Sequence, residues 1–71
     1  MESRENLARN LRVLRTGSGL SQEALADLAG VDRSYISGVE CRRYSVGLDR
    51  LDRLAKALGT PSSALISDQA S

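Results

Sequence analysis

An all-α domain of five helices is what this chain predicts, and three observations predict it. Leucine and alanine, both strong helix formers, supply most of the apolar residues. Those residues recur at three- and four-residue spacing rather than alternating. Glycines then follow the apolar runs at Gly17, Gly19, Gly30 and Gly59, where left-handed backbone closes a helix. The chain has 71 residues, 41% of them hydrophobic, which is one domain at most. A domain this small buries only roughly 60% of its unfolded surface, so the core is thin and a deep substrate cavity is not expected. With no Phe or Trp and only Tyr35 and Tyr44, that core is aliphatic.

Each element has its own signal. Leu7, Leu11 and Leu14 with Arg9, Arg12 and Arg15 between them make an amphipathic first helix, about 5–16. Ser21 is an N-cap candidate with Glu23 in the first turn, where the helix dipole favours an acid. Leu25, Ala26, Leu28 and Ala29 give that second helix, about 21–29, its apolar side. Asp32 is the next N-cap candidate and opens a third helix, about 32–40. Its Ile36 and Val39 point inward, with Arg33, Ser34, Ser37 and Gly38 opposite. Gly38 inside a helix costs roughly 1 kcal/mol relative to Ala, so this face is expected to lie against something. A fourth helix, about 48–58, carries Leu48, Leu51, Leu54, Ala55 and Leu58. Thr60-Pro61 reads as a cap with proline at the first helical position, starting a short fifth helix, about 61–66. Fraying is expected over the last residues, Ser67 to Ser71.

The net charge of +1 argues for no partner by itself, but it is unevenly spread. Residues 21–40 carry Arg33 against four acids, whereas residues 41–47 carry Arg42 and Arg43 and no acid. A local basic patch forms if Arg33, Arg42 and Arg43 share a face; otherwise they are ordinary solvated charges, as Arg12, Arg50, Arg53 and Lys56 are expected to be. The lone Cys41 excludes an internal disulfide, which suits a reducing, cytoplasmic setting. Cys41 is expected to be a small, partly buried side chain. With no His, a structural metal site is not expected, nor is any cofactor. No run of 18 apolar residues suggests a membrane span.

A helix, a tight turn at Gly30 and a second helix form the skeleton of a helix-turn-helix. Ala26 is small where the two helices cross. Gly30 accepts a positive φ, and Val31, Ile36 and Val39 fix the second helix to the core. The segments Leu20-Ser21-Gln22-Glu23-Ala24-Leu25-Ala26 and Gly30-Val31-Asp32-Arg33-Ser34-Tyr35-Ile36-Ser37-Gly38-Val39-Glu40 resemble the Cro/repressor (XRE-type) helix-turn-helix family. The likeness continues through Leu51 to Gly59. The run from Asp32 to Glu40 resembles in particular the controller proteins of restriction–modification systems.

That resemblance implies a repressor-like fold and residue roles. Gln22 stands where relatives hold a phosphate at a helix N-terminus. Arg33, Ser34, Ser37 and Gly38 stand where the recognition helix meets base edges in the major groove, and Arg33 suits guanine N7 and O6. Ser34 and Ser37 are alternatively plain solvated positions. Tyr35 either reaches a thymine methyl or a phosphate, or covers the edge of the core. Arg42, Arg43 and Tyr44 fall in a loop that commonly holds the DNA backbone. Arg15 and Glu40 occupy positions that pair as a partly buried salt bridge.

The loop departs from the family pattern. Cys41 and Arg42 follow Glu40, where Arg or Asn and then Gly are usual. A left-handed turn at Arg42 costs roughly 1–2 kcal/mol, so a different path is expected there. Val46-Gly47 gives the fourth helix a weaker cap. The implied function is sequence-specific operator binding to double-stranded DNA by a homodimer, whose surface is expected at Leu65, Ile66 and the end of the fourth helix. The competing reading is a protein-interaction module, an antitoxin or adaptor, on the same fold. No small-molecule substrate is expected. An enzyme is disfavoured: there is no His, no paired acids at a cleft and no phosphate loop.

Overall fold

The computed structural model describes residues 3–44 and 46–67. Of the residues expected to fray, 68–71 lie outside the described residues, whereas the Ser67 carbonyl accepts from Asn10 at 2.8 Å. The elements are α1 (Ser3–Gly17), α2 (Gln22–Ala29), α3 (Arg33–Glu40), α4 (Leu48–Leu58) and α5 (Ser63–Ile66). Leu11, Leu25, Ile36, Leu54 and Leu65 are fully buried, one from each helix. They meet at a single centre, and Val39, Leu51, Ala26 and Ala55 fill the space around it.

The stops and caps explain the boundaries. Ser21 caps α2, its hydroxyl accepting from the Ala24 amide at 3.0 Å. Gly30 ends α2 at φ 73°, with its amide donating to the Ala26 carbonyl; a side chain there would strain the turn. Asp32 stands at the N-cap of α3 with extended backbone but gives no side-chain cap. Gly47 starts α4 without a side-chain cap either.

Two expectations about the C-terminal end are corrected. The fifth helix begins at Ser63, with Ser62 at its cap and Pro61 in the preceding turn. Leu65 is fully buried, so it belongs to the core of one chain and cannot form a dimer surface, whereas Ile66 is exposed. The reason is Asn10, a buried polar side chain on α1. Its Nδ2 donates to the Leu65 carbonyl at 2.9 Å and the Ser67 carbonyl at 2.8 Å. One amide group thus ties the end of α5 to α1 and turns Leu65 inward. Asn10 reads in the sequence as one more polar residue, and no local signal marks it.

Candidate nucleic-acid interface

Helix α3 is held by Ile36, Val39 and Glu40, all buried, and leaves Arg33 and Ser34 exposed with Ser37 half-buried. Beside them the chain returns along 41–44. A shallow groove of about 230 Å³ lies between, lined by Arg33, Ser34, Ser37 and Gly38 from the helix and Cys41, Arg43 and Tyr44 from the return. Two arginines and no carboxylate line it, which makes it a local basic surface on a nearly neutral chain. Cys41 is exposed at its edge rather than partly buried.

Gly38 is buried, which corrects its expected place on the open face. The ring of Tyr44 lies directly over it: a Cβ at Gly38 would fall under 3.0 Å from ring carbons of Tyr44. The glycine therefore makes a shelf for an aromatic ring of the same chain. Tyr44 stacks in turn on Tyr35, with centroids 5.7 Å apart and planes at 12°, an offset arrangement that aromatic pairs favour. Tyr35 packs against the core, and its hydroxyl is enclosed without a hydrogen-bond partner among the described residues. The ring covers the edge of the core, and a phosphate cannot reach that hydroxyl as it lies.

The return itself corrects a second expectation. Arg42 does take the left-handed conformation, at φ 65°. Its amide donates to the Val39 carbonyl at 3.0 Å and the Arg43 amide to the Gly38 carbonyl at 2.8 Å. These are the two bonds with which a left-handed residue closes a helix. Satisfying two orphan carbonyls offsets the steric penalty that a non-glycine residue carries there. The turn sends Arg42 outward to within 3.8 Å of Glu5 on α1, while Arg43 and Tyr44 line the groove. The structure thus brings Arg33, Arg43 and Tyr44 together and sets Arg42 apart.

Behind the groove lies a buried carboxylate. Glu40 accepts from Arg15 Nε at 2.6 Å and Nη2 at 3.0 Å, a two-point contact that fixes both planes. The contact holds the Arg15 guanidinium above its ordinary pKa, chiefly through the hydrogen bond. Arg15 also donates to the Leu20 carbonyl at 2.9 Å, which ties α1 to the start of the helix-turn-helix. Gln22 Nε2 donates to Glu40 at 3.1 Å, and Arg33 Nη1 donates to Gln22 Oε1 at 3.4 Å. A chain of contacts therefore runs from the buried pair through the first residue of α2 to the first residue of α3. Arg12, expected to be solvated, is largely exposed but comes within 3.8 Å of Glu40.

Residues 6–67 match the helix-turn-helix domain family. The chain is similar to control protein C.SmaI of Serratia marcescens, at 44% identity over 97% of this chain and 82% of that one. It is similar to a hypothetical transcription factor of Neisseria meningitidis at 42% identity over 84% of this chain, spanning 57% of that protein's length. Among solved structures it superposes on the restriction-modification controller protein C.AhdI of Aeromonas hydrophila with a TM-score of 0.86 and 43% identity, covering 92% of this chain and 98% of that one.

Proposed function

The chain belongs to the helix-turn-helix family of DNA-binding transcription regulators, in its XRE-type branch, and on that premise we propose how it binds. It lays α3 in the major groove as a homodimer on two operator half-sites about one helical turn apart. The observation that carries this reading is the groove on α3, with Arg33 and Arg43 on its walls and no acid. Arg33 is held by Gln22 through one nitrogen and keeps its remaining N–H groups for a guanine edge. Ser34 and Ser37 add short donors beside it. Arg43 and Tyr44 face the sugar–phosphate backbone, and Gln22 approaches a phosphate from the start of α2. The pairing surface uses Ile66, half-exposed at 53%, and the end of α4.

The likeness to C.SmaI and C.AhdI supports a narrower role, control of a restriction–modification operon by a non-enzymatic regulator. Among the described residues no helix is long and apolar enough to cross a membrane, and no cluster of acids and cysteines suits a metal ion. A mobility shift at low salt tests the reading. The protein is expected to retard duplex DNA, most tightly the region upstream of its own gene. Failure to bind any duplex would leave the fold to a protein-interaction role.

A further inference from the structure

A second groove, about 440 Å³, lies between the α2–α3 turn and α4, lined by Gly30, Val31, Asp32, Tyr35, Arg50 and Arg53. Its two cations stand three residues apart on α4, on one face of the helix. Arg50 is not simply solvated: its guanidinium carbon sits 4.9 Å from the centroid of the Tyr35 ring, close enough for a cation–π contact. Tyr35 stacks on Tyr44, and Tyr44 lines the α3 groove. The two grooves therefore meet along one aromatic pair.

Arg53 lies 3.8 Å from Asp49, with both side chains largely exposed, a pair that contributes little in water. Arg50 has no carboxylate partner among the described residues. Asp32 is the one acid lining the groove. A helix seated in the major groove has a sugar–phosphate strand on each flank, because the groove is only about 12 Å wide. Gln22 and the start of α2 flank α3 on one side. Arg50 contacts α3 through Tyr35, which stands roughly 200° around the helix from Arg33, the residue that Gln22 contacts.

We propose that Arg50, with Arg53 one turn further along α4, is a second anchor for a backbone phosphate of duplex DNA. The anchor rests on the DNA-binding reading above and extends it to a helix outside the helix-turn-helix. Tyr35 holds the guanidinium extended toward the strand, so that less side-chain freedom is lost on binding. The contact is independent of base sequence and adds affinity without specificity.

The test is the salt dependence of binding for the wild type, Arg50→Gln, Arg53→Gln and Arg50→Lys, each on a selected site and on random duplex. Arg50→Gln is expected to weaken both duplexes by a similar factor. It should lower the slope of log K against log salt by about 0.9, the value for one lost phosphate contact. The wild-type advantage then narrows by roughly 3-fold between 50 and 200 mM salt. Arg53→Gln should act in the same direction and less strongly, and Arg50→Lys should keep the slope. Unchanged slopes in both Gln variants overturn the anchor, as does weaker binding by Arg50→Gln at an unchanged slope, which would make Arg50 a support for Tyr35. A wild type that binds no duplex overturns the DNA-binding reading itself, and the anchor with it.

Discussion

Gln22 donates to Glu40 at 3.1 Å, so the first side chain of α2 is oriented by the last residue of α3. The same carboxylate is gripped from below by Arg15. One buried acid therefore fixes three elements, and Arg33 is the outermost member of the chain it anchors. Removing only Arg15, as Arg15→Met, leaves a carboxylate whose side chain is 2% exposed without its main partner. A loss of about 3–5 kcal/mol is expected in urea unfolding. The double variant Arg15→Met, Glu40→Met should recover much of that stability. It should still bind DNA more weakly than wild type, because Gln22 and Arg33 lose their support. Recovery of both would limit the pair to a structural role.

Gly38 and Tyr44 give a change of sign. In the Tyr44→Ala background the shelf is empty, and Gly38→Ala should stabilise α3 by about 1 kcal/mol through helix propensity. In the wild type the same Cβ displaces the Tyr44 ring and its stack on Tyr35, so the gain should be reduced or reversed. A thermodynamic cycle over the four proteins measures the coupling. Equal effects in both backgrounds would mean that the ring does not rest on the glycine.

Arg42 occupies a left-handed position without glycine. Arg42→Gly relieves about 1 kcal/mol of backbone strain, while the exposed contact with Glu5 that it removes contributes little. A rise of several degrees in Tm is expected for a domain of this size. A fall would show that the Glu5 contact outweighs the strain.

Leu65 and Asn10 act together at the end of α5. Leu65→Ala should destabilise by about 2–5 kcal/mol through a core cavity. Asn10→Ala should cost about 1–3 kcal/mol, since the buried Leu65 carbonyl and the partly buried Ser67 carbonyl lose this donor. Both losses should be independent of protein concentration in chemical denaturation. A loss from Leu65→Ala that vanished on dilution would return the residue to an interface.

The fold was readable because its signals are local. Ser21, Gly30 and Gly59 punctuate the chain where a hydroxyl cap or a positive φ is needed, and the Leu and Ala spacing marks the buried faces. Arg33 and Ser34 were readable as an open face for the same reason. The features without a local signal depend on contacts that the fold makes. Asn10 meets the carbonyl of Leu65, 55 residues away, and that contact decides that Leu65 is core. Gly38 read as an open position because nothing near it announces Tyr44. Arg50 reads as a solvated charge because its contact with Tyr35 depends on where the fold places α4. At Arg42 the steric penalty alone points to a different path, whereas two carbonyl hydrogen bonds set the turn.

The affinity of wild type and Arg33→Ala for a site selected from random oligonucleotides, set against random duplex at the same salt, tests the central claim most directly. The account predicts a loss of about 1–3 kcal/mol on the selected site and a much smaller one on random DNA. Equal losses on both would make Arg33 a backbone contact and contradict base reading by α3.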